Sequence, residues 1–386
     1  MAENTEYKAQ IFVPSVARFP DDLRTRHELL QPAREQGFKT GLMVVLLRPE
    51  DLGIDDELGL DSQSLRDRRQ SQLDNLDVFV NLSADERPGI TVMHPWRPLL
   101  GEKRLNFLTN PAWSEDYVAD AIDFAAQIPD ELTPVYGRYL SFHTNTMITP
   151  DVWDAWVKEP DYFLEAFEDV QRMIGKLSFY GKRKSVSIGV ETIPIPAFGD
   201  WEKNEKSRIP ESPYYFADLV EVYPLLPHHK ERALIRQVGA SITHDFSHTF
   251  IGMKAVQEVR RLVTLGMIDA MDAYKIYEGD LAHADDVDHF DEIILSGIEG
   301  GDMVQANNAR GIYRFPKFHG TRKELPYKDS APFSRGDIPR RQLRKLIRGS
   351  LQKPVHFVLE LNEPDGKMIE APNTKEFLNF VLHSVR

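Results

Sequence analysis

Side chains able to bind a metal ion or move a proton recur at the ends of otherwise apolar runs in this sequence. His94 ends GITVMH, His143 ends GRYLSFH, Glu191 ends SVSIGVE, and Asp245 ends GASITHD with His248 one helical turn later. Gln305 lies within DMVQAN and Glu360 within HFVLEL. Ionised carboxylates cannot share a dry site unless they take up protons or a cation neutralises them, because removing each from water costs several kcal/mol. A divalent ion held by Glu191, Asp245, Gln305 and Glu360 meets that cost. Oxygen-rich ligation of this kind suits a hard cation. Mn²⁺ is expected, with Mg²⁺, Co²⁺ or Zn²⁺ as alternatives.

Each residue also has a plainer role open to it. A single Glu at a strand end serves as a salt-bridge or capping partner, a single His as a hydrogen-bonded structural residue, and Gln305 as a backbone partner at a sheet rim. The recurrence of the pattern is the argument for a site. Arg97 and Arg310 also follow strand ends and are candidates for clamping a carboxylate or phosphate, against the alternative of surface ion pairs.

The elements that must position these residues follow from the apolar patterning. Short runs at 9–14, 40–47, 89–94, 137–143, 185–191, 239–245, 302–307 and 356–361 are apolar enough to be strands buried on both faces. Segments 117–128, 160–177, 253–267 and 340–349 carry apolar residues at helical spacing. LDVFVNL at 76–82 reads as the end of a helix that begins near Ser62. Alternating strands and helices predict right-handed βαβ units, and eight of them close a (β/α)8 TIM barrel with long loop insertions at its C-terminal face. No glycine-rich phosphate loop follows the early strands, which weighs against a nucleotide-binding open sheet. The whole chain, 1–386, is expected to form this one domain, with a lid or outer decoration at 197–229.

Composition narrows the class. Net charge is -13, from 47 Lys+Arg against 60 Asp+Glu, so nucleic acid and acidic membranes are disfavoured as partners and a small molecule is favoured. The absence of cysteine excludes disulfides, zinc-thiolate sites and thiol nucleophiles. The N-terminal MAENTEYKAQIFVPS lacks the pattern of a secretory signal, and no run approaches the ~20 apolar residues of a membrane span; a cytoplasmic location is the expectation, with homo-oligomerisation left open.

Asp245-Phe-Ser-His248 after an apolar strand, Glu191 one strand earlier and Glu360 in the last strand resemble the xylose isomerase-like TIM-barrel superfamily of sugar phosphate isomerases and epimerases, dehydroshikimate dehydratases and endonuclease IV relatives. Supporting matches are FVPS, VMHPWRP around His94, FHTN around His143, QANNARG around Gln305, and SRGDIPRRQLRKLI at 334–347. In the epimerase-like branch the resemblance implies metal ligation by Glu191, Asp245, Gln305 and Glu360. The third ligand there is usually His, and Gln resembles the dehydroshikimate dehydratase-like members. The endonuclease IV-like branch would add His94, His143, His248 and His319 around three zincs. Gln305 and Lys317-Phe318-His319 depart from its His and Asp-x-His, and Lys317 puts an ammonium where a cation should bind.

These expectations make the protein a divalent-metal-dependent isomerase or epimerase of a sugar-like or polyol substrate, working through an enediolate with Glu191 and Glu360 as the acid–base pair. His94, His143, Arg97, Arg310 and His319 are expected to contact substrate, with Trp96 as an apolar wall. A dehydratase of a cyclic polyhydroxy keto compound, using His248 or His143 as acid, is the near alternative. An endonuclease IV-like metallohydrolase is the more distant one.

Overall fold

In the computed structural model the described residues are 7–46, 49–52, 61–93, 105–159, 161–193, 208, 212–215, 219–221, 230–266, 286–311, 327–331, 336–361 and 371–385. Eight parallel strands close a barrel: β1 (Gln10–Ser15), β2 (Thr40–Val45), β3 (Gly89–Met93), β4 (Arg138–Phe142), β5 (Val186–Glu191), β6 (Ser241–Asp245), β7 (Met303–Ala306) and β8 (His356–Leu359). They run in sequence order around the wall, and β8 pairs with β1 through Gln10–His356, Ile11–Phe357 and Phe12–Val358. The expected (β/α)8 barrel is the observed fold, with each of the eight anticipated runs supplying one strand.

Strict alternation along these strands divides the core in two. Ile11, Val13, Leu42, Val44, Ile90, Val92, Leu140, Phe142, Ile188, Val190, Ile242, Val304, Phe357 and Leu359 belong to the large cluster formed with the helices. The intervening Phe12, Met43, Met93, Tyr139, Met303 and Val358 pack together as an interior plug. Strands so apolar on both faces must be covered on both, which is why each needs a helix outside it. Helices Pro111–Gln127, Asp161–Arg183, Phe246–Thr264 and Arg340–Leu351 overlap the segments read as helical, which overrun the first three at one end by one to three residues. The run at 76–82 follows helix Ser62–Leu76 as a 3-10 turn over Asp77–Phe79, in line with its helical reading.

A buried polar network fastens the outside of β6 and β7. Arg236 places Nη1 2.6 Å and Nη2 2.7 Å from the two oxygens of Asp302. The same carboxylate accepts from Ile242 N and Glu299 N and lies 3.1 Å from His244 Nε2. Arg232 Nη2 lies 2.9 Å from His244 Nδ1, so the ring accepts there and donates through Nε2. Burial, and then the Arg232 charge, hold His244 down at about 4 despite Asp302, so it stays neutral in the native protein near pH 7.

Two small pairings lie outside the barrel wall. Asn308–Gly311 pairs antiparallel with Tyr327–Ala331, a hairpin that the strand reading of 302–307 does not anticipate. Met147–Ile148, just beyond β4, pairs antiparallel with Val220–Glu221 from the 197–229 segment. Leu219 is buried there against Met147 and Tyr214, and Arg208 bridges to Tyr215. No helix among the described residues is long and apolar enough to cross a membrane.

Candidate metal centre

Above the apolar plug, the interior-facing series turns polar. Alternation carries Tyr139 to Ser141 on β4 and His143 just past it, Gly189 to Glu191 on β5, Thr243 to Asp245 on β6, Met303 to Gln305 on β7, and Val358 to Glu360 just past β8. Glu191 is 1% exposed, Asp245 1% and Gln305 0%. Parallel strands with matched ends make residues far apart in sequence meet at one rim, and Gln305 is directly paired with Asp245 across β6 and β7.

The Asp-Phe-Ser-His spacing has a local cause. Asp245 is extended, with φ -85 and ψ 123, and serves as the N-cap of helix Phe246–Thr264, accepting from His248 N at 2.6 Å. The residue that ends the strand thus starts the helix, and its anion sits at the positive end of the helix dipole. His248, at the third helical position, lies back against the strand ends. Its Nδ1 is 2.9 Å from the Thr192 carbonyl oxygen, which can only accept, so Nδ1 carries a proton and Nε2 is the ring nitrogen left able to bind a cation.

Glu191 is held from two sides. Its Oε1 is 3.1 Å from His143 Nε2 and 3.3 Å from His248 Nδ1. Its Oε2 accepts from Gln305 Nε2 at 3.2 Å and from Ser141 Oγ at 3.4 Å, and Ser141 in turn donates to Thr243 Oγ1 at 3.0 Å. Burial pushes this carboxyl up, but His143 and then His248, through charge and hydrogen bonding, reverse the effect and leave it below the ordinary carboxylate range. Asp245 moves the other way. Burial foremost, and the charge of Glu191, raise it against the pull of His248 and Asn307.

Ligand atoms of Glu191, Asp245 and His248 lie within 4.8 Å of one another, all three residues buried. Gln305 Oε1 is buried with no hydrogen-bond donor among the described residues. An acceptor left in that condition costs about 1–3 kcal/mol, which a cation coordinated at Oε1 would recover. The donor set of two carboxylates, an amide oxygen and an imidazole therefore fits a divalent ion. His248 stands inside the ligand group, whereas the sequence reading gave it an acid's role. Glu360 is half-buried on the interior-facing series of β8.

The chain is similar in fold to a Rhodospirillum rubrum protein provisionally described as a xylose isomerase, with 13% identity, TM-score 0.52, and coverage of 96% of this chain and 99% of that one. The likeness is one of fold, the closed (β/α)8 barrel. Lower-scoring similarities include an L-ribulose 3-epimerase at 10% identity, TM-score 0.49, covering 98% of this chain and 94% of that one. Another is a xylose isomerase-like TIM barrel protein from Mycobacterium smegmatis in complex with magnesium, at 12% identity, TM-score 0.45 and 100% coverage of both chains. No protein-family model matches the sequence, and no curated protein does.

In this barrel, the structure brings together Glu191, Asp245, His248, His143 and Gln305 from the sequence-derived set. His94, Trp96, Arg97, Lys317 and His319 lie outside the described residues, and of Arg310 only the backbone is described, in strand Asn308–Gly311. Residues the sequence reading passed over are Ser141, Thr192, Thr243, Ser247 and Asn307. Ser141 and Thr243 occupy the same alternating series as Glu191, a signal that was present in the strands. Asn307 follows Gln305 by the same two-residue step.

Proposed function

We propose that this protein is a divalent-metal-dependent isomerase or epimerase of a sugar-like substrate. The observation that carries the reading is the buried group of Glu191, Asp245 and His248 at the C-terminal rim of the barrel. The names of fold-level neighbours, an L-ribulose 3-epimerase among them, point the same way without adding independent weight.

When bound, the cation would balance the buried carboxylates and polarise a substrate carbonyl toward loss of its α-proton. Glu191, Asp245, Gln305 and His248 are the residues that would hold it. Glu191 is hydrogen-bonded at Oε2 by Gln305 and Ser141, with two imidazoles beside Oε1, so it is suited to staying an anion in a fixed place. Glu360 is half-buried at the rim and is the better-placed group to accept and return a carbon-bound proton. His143 lies beside Glu191, its Nε2 3.1 Å from Oε1, and is a second group able to move a proton there. A glutamine at 305, together with these imidazoles, also suits loss of a β-hydroxyl, so a dehydratase reading stands second.

The test is titration of chelator-treated protein with Mn²⁺, followed by incubation with keto-sugars, inososes and cyclic hydroxy keto acids in deuterated water. Exchange of a carbon-bound proton that needs Mn²⁺ and disappears in Glu360→Gln is the expected result. A protein that binds no divalent ion, or catalyses exchange equally well after Glu360→Gln, overturns the proposal. Accumulation of an unsaturated product would select the dehydratase reading.

A further inference from the structure

Asp245 is gripped by a side chain that no metal ligand explains. Asn307 Nδ2 donates to Asp245 Oδ2 at 2.5 Å, while Asn307 Oδ1 accepts from Ser247 N at 2.9 Å. The second contact settles the orientation of the amide: a backbone N–H can only donate, so Oδ1 must face Ser247 and Nδ2 must face Asp245. Asn307 is 0% exposed, and Ser247 and Asp245 are 0% and 1% exposed, so water does not compete for these groups. Ser247 closes the loop by donating from Oγ to Asp245 Oδ1 at 2.8 Å, beside His248 N at 2.6 Å on the same oxygen.

The lone pairs can now be assigned. Asp245 Oδ1 accepts from both Ser247 Oγ and His248 N, which occupies its two acceptor directions. Oδ2 accepts from Asn307 and retains one. We infer that Asn307 is a positioning residue for the metal centre, fixing Asp245 so that it presents Oδ2 alone to a cation. This rests on the metal-dependent reading above and deepens it. Asn307 also ties that aim to the start of helix Phe246–Thr264, which carries His248, so a single amide holds two of the candidate ligands in register.

The neighbouring Asn308 provides the comparison. Its Oδ1 accepts from Ile338 N at 2.9 Å and its side chain fills the space against Gly336, where an added Cβ would come 1.9 Å from Cγ. Asn308 therefore holds the turn that precedes helix Arg340–Leu351. Both asparagines are buried and both substitutions are expected to lower the Tm.

Calorimetric titration of the chelator-treated full chain with Mn²⁺, well below the Tm, separates the roles. Asn307→Ala is expected to weaken Mn²⁺ binding roughly 10–100-fold, as loss of a group orienting a ligand typically does. Asn307→Ser, which keeps a short hydroxyl donor, is expected to fall between Asn307→Ala and the wild type, and it carries the comparison if Asn307→Ala does not fold. Asn308→Ala is expected to match the wild type. Wild-type affinity in Asn307→Ala, or in Asn307→Ser where that is the measurable variant, overturns the assignment, as does an equal loss in Asn308→Ala. A wild-type protein that binds no Mn²⁺ overturns the metal-dependent reading and the assignment with it, whereas unchanged binding in the variants leaves that reading standing.

Discussion

His356 shows what the barrel interior does to a single titratable group. It is fully buried, neither ring nitrogen has a hydrogen-bond partner among the described residues, and the rings of Phe12, Tyr136 and Tyr139 surround it. Burial holds it down from 6.5 to about 3. Between those values the unfolded chain binds a proton that the native protein refuses, so stability falls as pH falls, by about 1.4 kcal/mol per pH unit in the middle of the window. Above pH ~6.5 both states are neutral and the contribution to the slope vanishes. Denaturant titrations from pH 7 to pH 4 should therefore show a shallower decline in His356→Phe than in the wild type, and a parallel decline would refute the account. His244 answers to the same logic with a folded value of about 4, but its partners make it a fastening rather than a lone group. Breaking that fastening with Arg236→Met leaves Asp302 buried without its guanidinium, and a loss of about 3 kcal/mol is expected in the same titrations.

At the scale of strands and helices, the interior layers couple the plug to the site. An added Cβ at Gly189 would fall 1.8 Å from Tyr139 Oη and 2.7 Å from Thr243 Oγ1. Gly189→Ala must push on the hydroxyls that support Ser141 and, through it, Glu191. A loss of ~1–3 kcal/mol and weaker Mn²⁺ binding are expected together, measured by denaturation and calorimetry. Outside the barrel, Leu219→Asp removes the apolar anchor beside Val220–Glu221. Limited proteolysis should then cut faster beside Leu219, giving two fragments that divide the chain between β5 and β6, and an unchanged digestion pattern would show that the anchor is idle.

What could be read from the sequence follows the same division. The strands were legible because a parallel barrel demands apolar residues on both faces, and Glu191, Asp245 and Gln305 stood out against that background. His248 was legible through its place one turn after the strand-ending Asp245, and the structure adds that Asp245 caps the helix on which His248 lies. Ser141, Thr243 and Asn307 were not singled out, because a hydroxyl or amide near a strand end is common and only the closed wall shows that it touches a carboxylate. The hairpin of Asn308–Gly311 with Tyr327–Ala331 was hidden for a related reason: its two halves are short and separated by a long connection.

For the molecule as a whole, a site that gathers carboxylates in a dry place makes stability answer to its counter-ion. Binding to the native state alone adds RT ln(1 + [L]/Kd), about 2.7 kcal/mol at 100 times Kd. Chelator treatment is expected to lower the Tm and Mn²⁺ to restore it, with the response absent in Glu191→Gln. A Tm indifferent to chelator would mean that the buried acids are reconciled by protons and imidazoles alone.

The pairing of β8 with β1 carries a further consequence for how the protein comes into being. Gln10 and His356 are neighbours in the wall but lie nearly the whole chain apart. During synthesis β1 must wait with one edge open until the last strand emerges, and an exposed edge invites pairing with other chains. The closing strand is followed immediately by Glu360, so the candidate proton carrier reaches the rim only as the wall is sealed. A nascent chain stalled before residue 356 would thus be both sticky and chemically incomplete, and the final seam turns an aggregation-prone sheet into a closed vessel.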